Sequence, residues 1–369
     1  MVAMNTAERA TAIAKAAESF RALLGPTTAD DLLAWVRAEL GSSEALDRWI
    51  DHGRAKTKAV APITILHVVS GNTPHAALQS LIGGLLLGSR NLVKLPRGGL
   101  IELDEFVSGL PDSLRATVEM AEDLPPSWFA SAGAVIVYGS DETIAHFRAL
   151  VSPSQVFVGH GHKASLGIVW DDASFASCDL AARDASLFDQ QGCLSPQVFY
   201  VREALPGFAR AYAEKLASAM DRFNRSHPRG PLTVAEQAEI ANLRAAYRFR
   251  AAGDLRVALW EGGGNMDWTV VYEEDAWFPA STLNRVIFVK PLPEDPAASI
   301  GPAAAHVGAV GLFPCTEELA DRFAALCPSR FCPLGRMQDP PWTWHNGGVA
   351  RLVSLVKWVD FEPPSGLTA

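Results

Sequence analysis

The chain has 369 residues, 49% of them hydrophobic and 20% charged, which is core enough for about two domains and too apolar for a disordered segment. Its 32 basic residues against 41 acidic ones leave a formal charge of −9, and no lysine–arginine block stands out, which argues against a nucleic acid or an anionic membrane surface as partner. The longest apolar stretch, Leu81–Leu87, falls far short of the ~20 residues that cross a bilayer.

The N-terminus, MVAMNTAERATAIAKAAESF, is charged and amphipathic, without the apolar centre of a secretory signal. Five cysteines (Cys178, Cys193, Cys315, Cys327, Cys332) form no dense framework and fit free thiols in a reducing cytoplasm. Ala7–Leu24 and Ala29–Leu40 place apolar residues at three- and four-residue spacing, so the first sixty residues read as helices. Ile63–Val69 is then a β-branched run that ends at Ser70-Gly-Asn-Thr-Pro74. An apolar helix over His75–Leu87 and a strand at Asn91–Leu95 complete a βαβ unit with parallel strands.

A second unit follows as strand Ala134–Tyr138, turn Gly139-Ser140 and helix Asp141–Leu150, with a further strand at Gln155–Val158. A helix over Asp179–Phe188 leads to Gly192-Cys193 and a strand at Val198–Val201. Long helices are expected at Gly207–Phe223 and Thr233–Ala252, strands at Leu255–Leu259, Trp268–Tyr272 and Arg285–Val289, and a helix near Thr316–Leu326. Gly262-Gly-Gly-Asn265 reads as a hairpin turn without chemistry. The expected organisation is an α/β chain with N-terminal helices and a ligand-binding domain over 1–170, a nucleophile-bearing domain over 171–333, and a C-terminal loop and strand over 334–369. That last segment returns to the first domain or to an oligomer partner.

Cys193 is the strongest candidate for chemistry. It lies in Phe188-Asp-Gln-Gln-Gly-Cys-Leu-Ser-Pro-Gln197, a polar turn where a thiolate is accessible and glycine lets backbone N–H groups approach a reacting carbonyl. The alternative is a small buried hydrophobe, which is the reading for the other four cysteines. Asn72, between strand and helix, offers a side-chain N–H at the C-terminal edge of a parallel sheet, or caps the helix. Gly139-Ser140 suits a phosphate at a helix N-terminus. No Gly-x-Gly-x-x-Gly or P-loop follows the early strands. His160 and His162 flank Gly161 without a third metal ligand, so no metal site is expected; a turn is the first reading, and a base near the cysteine the second.

In their order along the chain, Ser70-Gly-Asn-Thr-Pro74 with Leu92-Val-Lys94, Tyr138-Gly-Ser-Asp-Glu142, His162-Lys-Ala-Ser165 and Asp189-Gln-Gln-Gly-Cys-Leu-Ser-Pro-Gln197 resemble the aldehyde dehydrogenase superfamily. More closely they resemble its acyl-CoA reductase branch, the LuxC-type fatty-acid reductases. The resemblance spans roughly Ile63 to Glu362. It implies two Rossmann-like α/β domains with the active site between them, Cys193 as the nucleophile, and Asn72 with the Cys193 N–H as the oxyanion holders. It also implies Lys94 at the adenosine ribose of a nicotinamide cofactor, and Gly139, Ser140 and Glu142 beside its pyrophosphate.

Three departures refine the expectation. Hydrolytic members carry a water-activating glutamate where Gly159 stands here, so water would attack the thioester slowly and coenzyme A becomes the natural exchanging group. Arg97 stands where relatives that prefer NAD often have an acidic residue, which points to NADPH, with NADH as the alternative. No Glu-x-Phe-Gly-Pro appears; Asn284–Phe288 occupies the comparable strand. The expected activity is reduction of an acyl-CoA or other acyl thioester to an aldehyde through a thioester on Cys193. The alternatives are a CoA-acylating dehydrogenase of a short or phosphorylated aldehyde, and a non-catalytic scaffold relative. A homo-oligomer and an acyl-transferring partner protein belong to the same expectation.

Overall fold

A computed structural model describes residues 4–71, 74–264, 266–279 and 281–363. In chain order the strands are β1 (Ile50–His52), β2 (Ala55–Val60), β3 (Thr64–Val68), β4 (Arg90–Lys94), β5 (Val118–Ala121), β6 (Ala134–Tyr138), β7 (Val156–His160), β8 (Ala164–Val169), β9 (Pro196–Val201), β10 (Val257–Glu261), β11 (Thr269–Glu273), β12 (Val286–Pro291), β13 (Val307–Phe313), β14 (Arg330–Pro333) and β15 (Lys357–Phe361). The chain divides into one unit of residues 1–162 with 341–369 and another of residues 163–340. The first boundary therefore falls before the expected 170, because β8 pairs with β9 and β13 and so belongs to the second unit. The return falls at Pro341 rather than 334, because Gly335 and Met337 are tied to Asp184 in the second unit.

In the first unit, five parallel strands lie in the order β5-β4-β3-β6-β7. β3 is buried throughout, as a central parallel strand with both faces covered must be. The apolar helix Pro74–Leu87 packs on one face, with Pro74 at its first position, where a missing N–H costs nothing. Residues 50–60 are not helical: β1 and β2 form a hairpin, and β15 adds to β2 antiparallel, so the C-terminal strand returns to its own first unit. That return is anchored at Glu39, whose carboxylate accepts from the Trp35 indole (2.5 Å) and from the N–H groups of Leu352 (2.6 Å) and Val353 (3.0 Å). The Arg351 guanidinium lies 4.1 Å over the Trp35 ring.

In the second unit, seven strands run in the order β10-β11-β12-β9-β8-β13-β14, parallel except for the β10–β11 hairpin that the glycine run predicts. The helix expected to reach Phe188 stops at Ser186. Phe188, Asp189 and Gln190 follow with φ of 52°, 50° and 64°, a left-handed run without glycine. It turns the chain sharply toward Cys193 and into β9.

Candidate active site

Each unit carries its own part of the expected chemistry. In the first, Lys94 closes β4 and is half-buried, and Arg97 follows it exposed. Gly139 and Ser140 follow β6, and exposed Glu142 sits in the first turn of the helix Asp141–Leu150. All five lie at the C-terminal ends of neighbouring parallel strands on either side of β3, where the strand order reverses and open α/β sheets bind ligands. Ser140 caps the helix, accepting from the Thr143 N–H at 3.3 Å, and its hydroxyl holds the Glu142 carboxyl below the usual range. Asn72 lies outside the described residues.

The donor set suits a dinucleotide. Lys94 and Arg97 follow β4, and a Cβ on Gly139 would come within 3.0 Å of the Thr143 side chain, so the turn after β6 is packed to bring bare backbone to the edge. A Cβ on Gly159, where hydrolytic relatives carry their base, would lie 2.8 Å from an Ile144 methyl and 3.1 Å from the Phe157 ring. A carboxylate does not fit there without repacking. His160 stacks on Tyr138 with ring centroids 4.5 Å apart, and the His162 backbone N–H donates to Asp141 Oδ1 at 3.1 Å.

In the second unit, Cys193 is exposed, as an attacking group requires. Its carbonyl accepts from Ser165 Oγ at 2.8 Å, and that hydroxyl accepts from the Ala309 N–H at 3.0 Å, so buried Ser165 fixes the peptide that follows the cysteine. Protein packed around the exposed residue still desolvates a thiolate and raises the pKa; the Cys193 N–H and the Lys163 ammonium pull it back down. The expected thiolate is thus a thiol at rest, because burial outweighs both opposing effects. Two residues on, Ser195 Oγ accepts from Gln338 Nε2 at 2.7 Å.

Sequence reading finds Cys193 but misses Ser165 and Gln338 as its supports. Ser165 stands in the His-Lys-Ala-Ser block, the one signal available. Gln338 carries none, because its contact spans 143 residues of chain.

The fold is that of the aldehyde dehydrogenases. The aldehyde dehydrogenase AldC of Pseudomonas syringae, solved with NAD+ and octanal, is similar with a TM-score of 0.67 at 14% identity, covering 99% of this chain and 86% of that one. A methylmalonate-semialdehyde dehydrogenase of Oceanimonas doudoroffii gives 0.68 at 13%, covering 98% and 87%. Within that fold the chain belongs to the acyl-CoA reductase (LuxC) family, whose pattern matches residues 3–358. A long-chain acyl-protein thioester reductase of Aliivibrio fischeri is 26% identical over 273 residues, 69% of this chain and 54% of the relative. One of Photobacterium leiognathi is 23% identical over 349 residues, 90% and 71%. The chain spans about half the length of the first of these. Among the described residues, no helix is long and apolar enough to cross a membrane.

Proposed function

We propose that the protein reduces a long-chain acyl thioester to the aldehyde, with Cys193 carrying the acyl group. The observation that carries this reading is an exposed cysteine whose carbonyl is tied back by Ser165 and whose own N–H lies against the sulfur. The Cys193 thiol gives up its proton and its sulfur attacks the thioester carbonyl; the carbon–sulfur bond to the donor breaks, and the donor sulfur takes a proton to leave as a thiol. Negative charge gathers on the carbonyl oxygen, to be held by the Cys193 N–H.

When bound, a nicotinamide would supply a hydride to the carbonyl carbon, the bond to the Cys193 sulfur breaking to release the aldehyde and return the thiolate. Lys94, Arg97, Gly139, Ser140 and Glu142 would hold that cofactor at the strand ends, with Arg97 favouring the extra phosphate of NADPH over NADH. Gly159 carries no carboxylate, and the packing around it leaves no room for one, which supports transfer over hydrolysis.

The family's description names acyl-CoA, and the relatives' names an acyl-protein; both donors present the same reacting thioester. NADPH oxidation by a long-chain acyl-CoA and by an acyl-protein, each repeated with NADH, distinguishes donor and cofactor. Cys193→Ala is expected to fall below about a thousandth of wild-type turnover with either donor. Turnover near wild type in that variant overturns the assignment.

A further inference from the structure

The left-handed run before the nucleophile has a counterpart in the same unit. Leu283, Asn284 and Arg285, just before β12, have φ of 59°, 56° and 65°, again without a glycine. Consecutive residues of this kind are unfavourable for L-amino acids and persist only where their surroundings enforce them. The enforcement here is mutual. Arg285 Nη2 lies 2.8 Å from Asp189 Oδ1, and Gln191 Nε2 donates to Asn284 Oδ1 at 2.9 Å. Gln190, fully buried, donates to the carbonyls of Pro196 (2.8 Å) and Val286 (3.0 Å), so it spans from the start of β9 to that of β12.

The ion pair is the centre of this arrangement. Arg285 is 4% exposed, and its other Nη donates to Asn224 Oδ1 (2.7 Å) and to the His227 carbonyl (3.0 Å). The second Asp189 oxygen accepts the Gly230 N–H at 2.9 Å. Both partners are thus held from two sides. Asp189 stands four residues before Cys193, so a shift of its backbone is carried along one short turn to the sulfur.

We propose that Asp189 and Arg285 are positioning residues for Cys193, clasping two left-handed turns together so that the sulfur and its neighbouring N–H keep the geometry needed for acyl transfer. A planar guanidinium suits this role because its fork engages the carboxylate, an amide oxygen and a carbonyl at once, which an ammonium does not.

The inference rests on Cys193 being the acyl acceptor, and its test separates the two claims. Single-turnover acylation by a long-chain acyl-CoA, without nicotinamide, is measured alongside the pH midpoint of iodoacetamide alkylation at Cys193. Arg285→Met and Asp189→Asn are each expected to slow acylation about 100-fold, the cost of a misplaced reacting group, with KM nearly unchanged. Both should also raise the alkylation midpoint as the N–H leaves the sulfur. The double variant should be no slower than either single one, because one link is lost in each, and Arg285→Lys should recover only part of the rate.

Circular dichroism and urea unfolding check that the variants are folded. Should Arg285→Met not fold, Asp189→Asn decides the matter, since it keeps an acceptor for Gly230. Wild-type acylation and an unmoved midpoint in a folded variant overturn the clasp. Acylation that persists in Cys193→Ala overturns instead the assignment on which it rests.

Discussion

At the scale of single residues, the proposed chemistry turns on a thiol that burial keeps protonated and a lysine that opposes burial. Because the Cys193 pKa is raised, the reactive fraction grows with pH through and beyond the ordinary thiol value of 9.0. Alkylation by iodoacetamide should therefore still be accelerating at pH 9, and Lys163→Met should push the midpoint higher. A plateau below pH 8 in the wild type would contradict this electrostatic balance. Ser165→Ala should slow turnover about tenfold and cost about 1–3 kcal/mol in urea unfolding, because it strands the Ala309 N–H and the Cys193 carbonyl together. Unchanged values for both would remove Ser165 from its supporting role. The exposure of Cys193 was legible because its neighbours form a polar turn. Ser165 was not, since a buried serine on an apolar strand looks like any other small residue.

At the scale of elements, packing between glycine and a neighbour decides much of what sequence periodicity does not reveal. The β3–helix–β4 unit is read correctly because a β-branched run and an apolar helix differ plainly in rhythm. Strands β8 and β13 escape notice because glycines interrupt them, yet Gly167 and Gly311 face each other in register. Cβ atoms there would lie 2.2 Å from the Phe199 ring and 2.5 Å from Leu334, so the glycines make room for large side chains. The β1–β2 hairpin escapes for a different reason: Ala55–Val60 is mostly polar and only partly buried.

The left-handed run at Phe188–Gln190 is illegible because partners far along the chain enforce it: Arg285 holds Asp189, and the Val286 carbonyl accepts from Gln190. A direct test of close packing lies in the first unit. A Cβ on Gly84 would stand 1.9 Å from Asn91 Oδ1, the atom that also meets His67 Nε2 at 3.0 Å. Gly84→Ala should lose about 1–3 kcal/mol in urea unfolding. Wild-type stability in that variant would mean the helix sits farther from β4 than described.

At the scale of the whole molecule, the two units carry buried titratable groups whose effects on stability have opposite signs. In the first, burial lowers His67 and His75 from 6.5 to about 4. Their contribution is complete above pH 6.5 and falls away as the pH drops toward 4, because the unfolded chain binds protons the folded one refuses. In the second unit, burial raises Asp184 from 3.8 to about 7 against the N–H groups of Gly335 and Met337. Its contribution is complete in acid and is lost as the pH rises through 7. Hydrogen exchange at pH 5 and pH 7.5, corrected for intrinsic rates, should therefore show peptides around His67 and His75 losing protection in acid while those around Asp184 gain it. The reverse pattern would contradict both assignments. None of this was legible in the sequence, since burial of a histidine depends on the layers packed over it.

The central claim is that the acyl group passes through Cys193. It is tested most directly by incubating the protein with a long-chain acyl thioester in the absence of nicotinamide, then locating the added mass by peptide mass spectrometry. The expected result is one hydroxylamine-labile acyl group on the peptide bearing Cys193, discharged as aldehyde when NADPH is added. An acyl group on another residue, or aldehyde formation by Cys193→Ala, would contradict it.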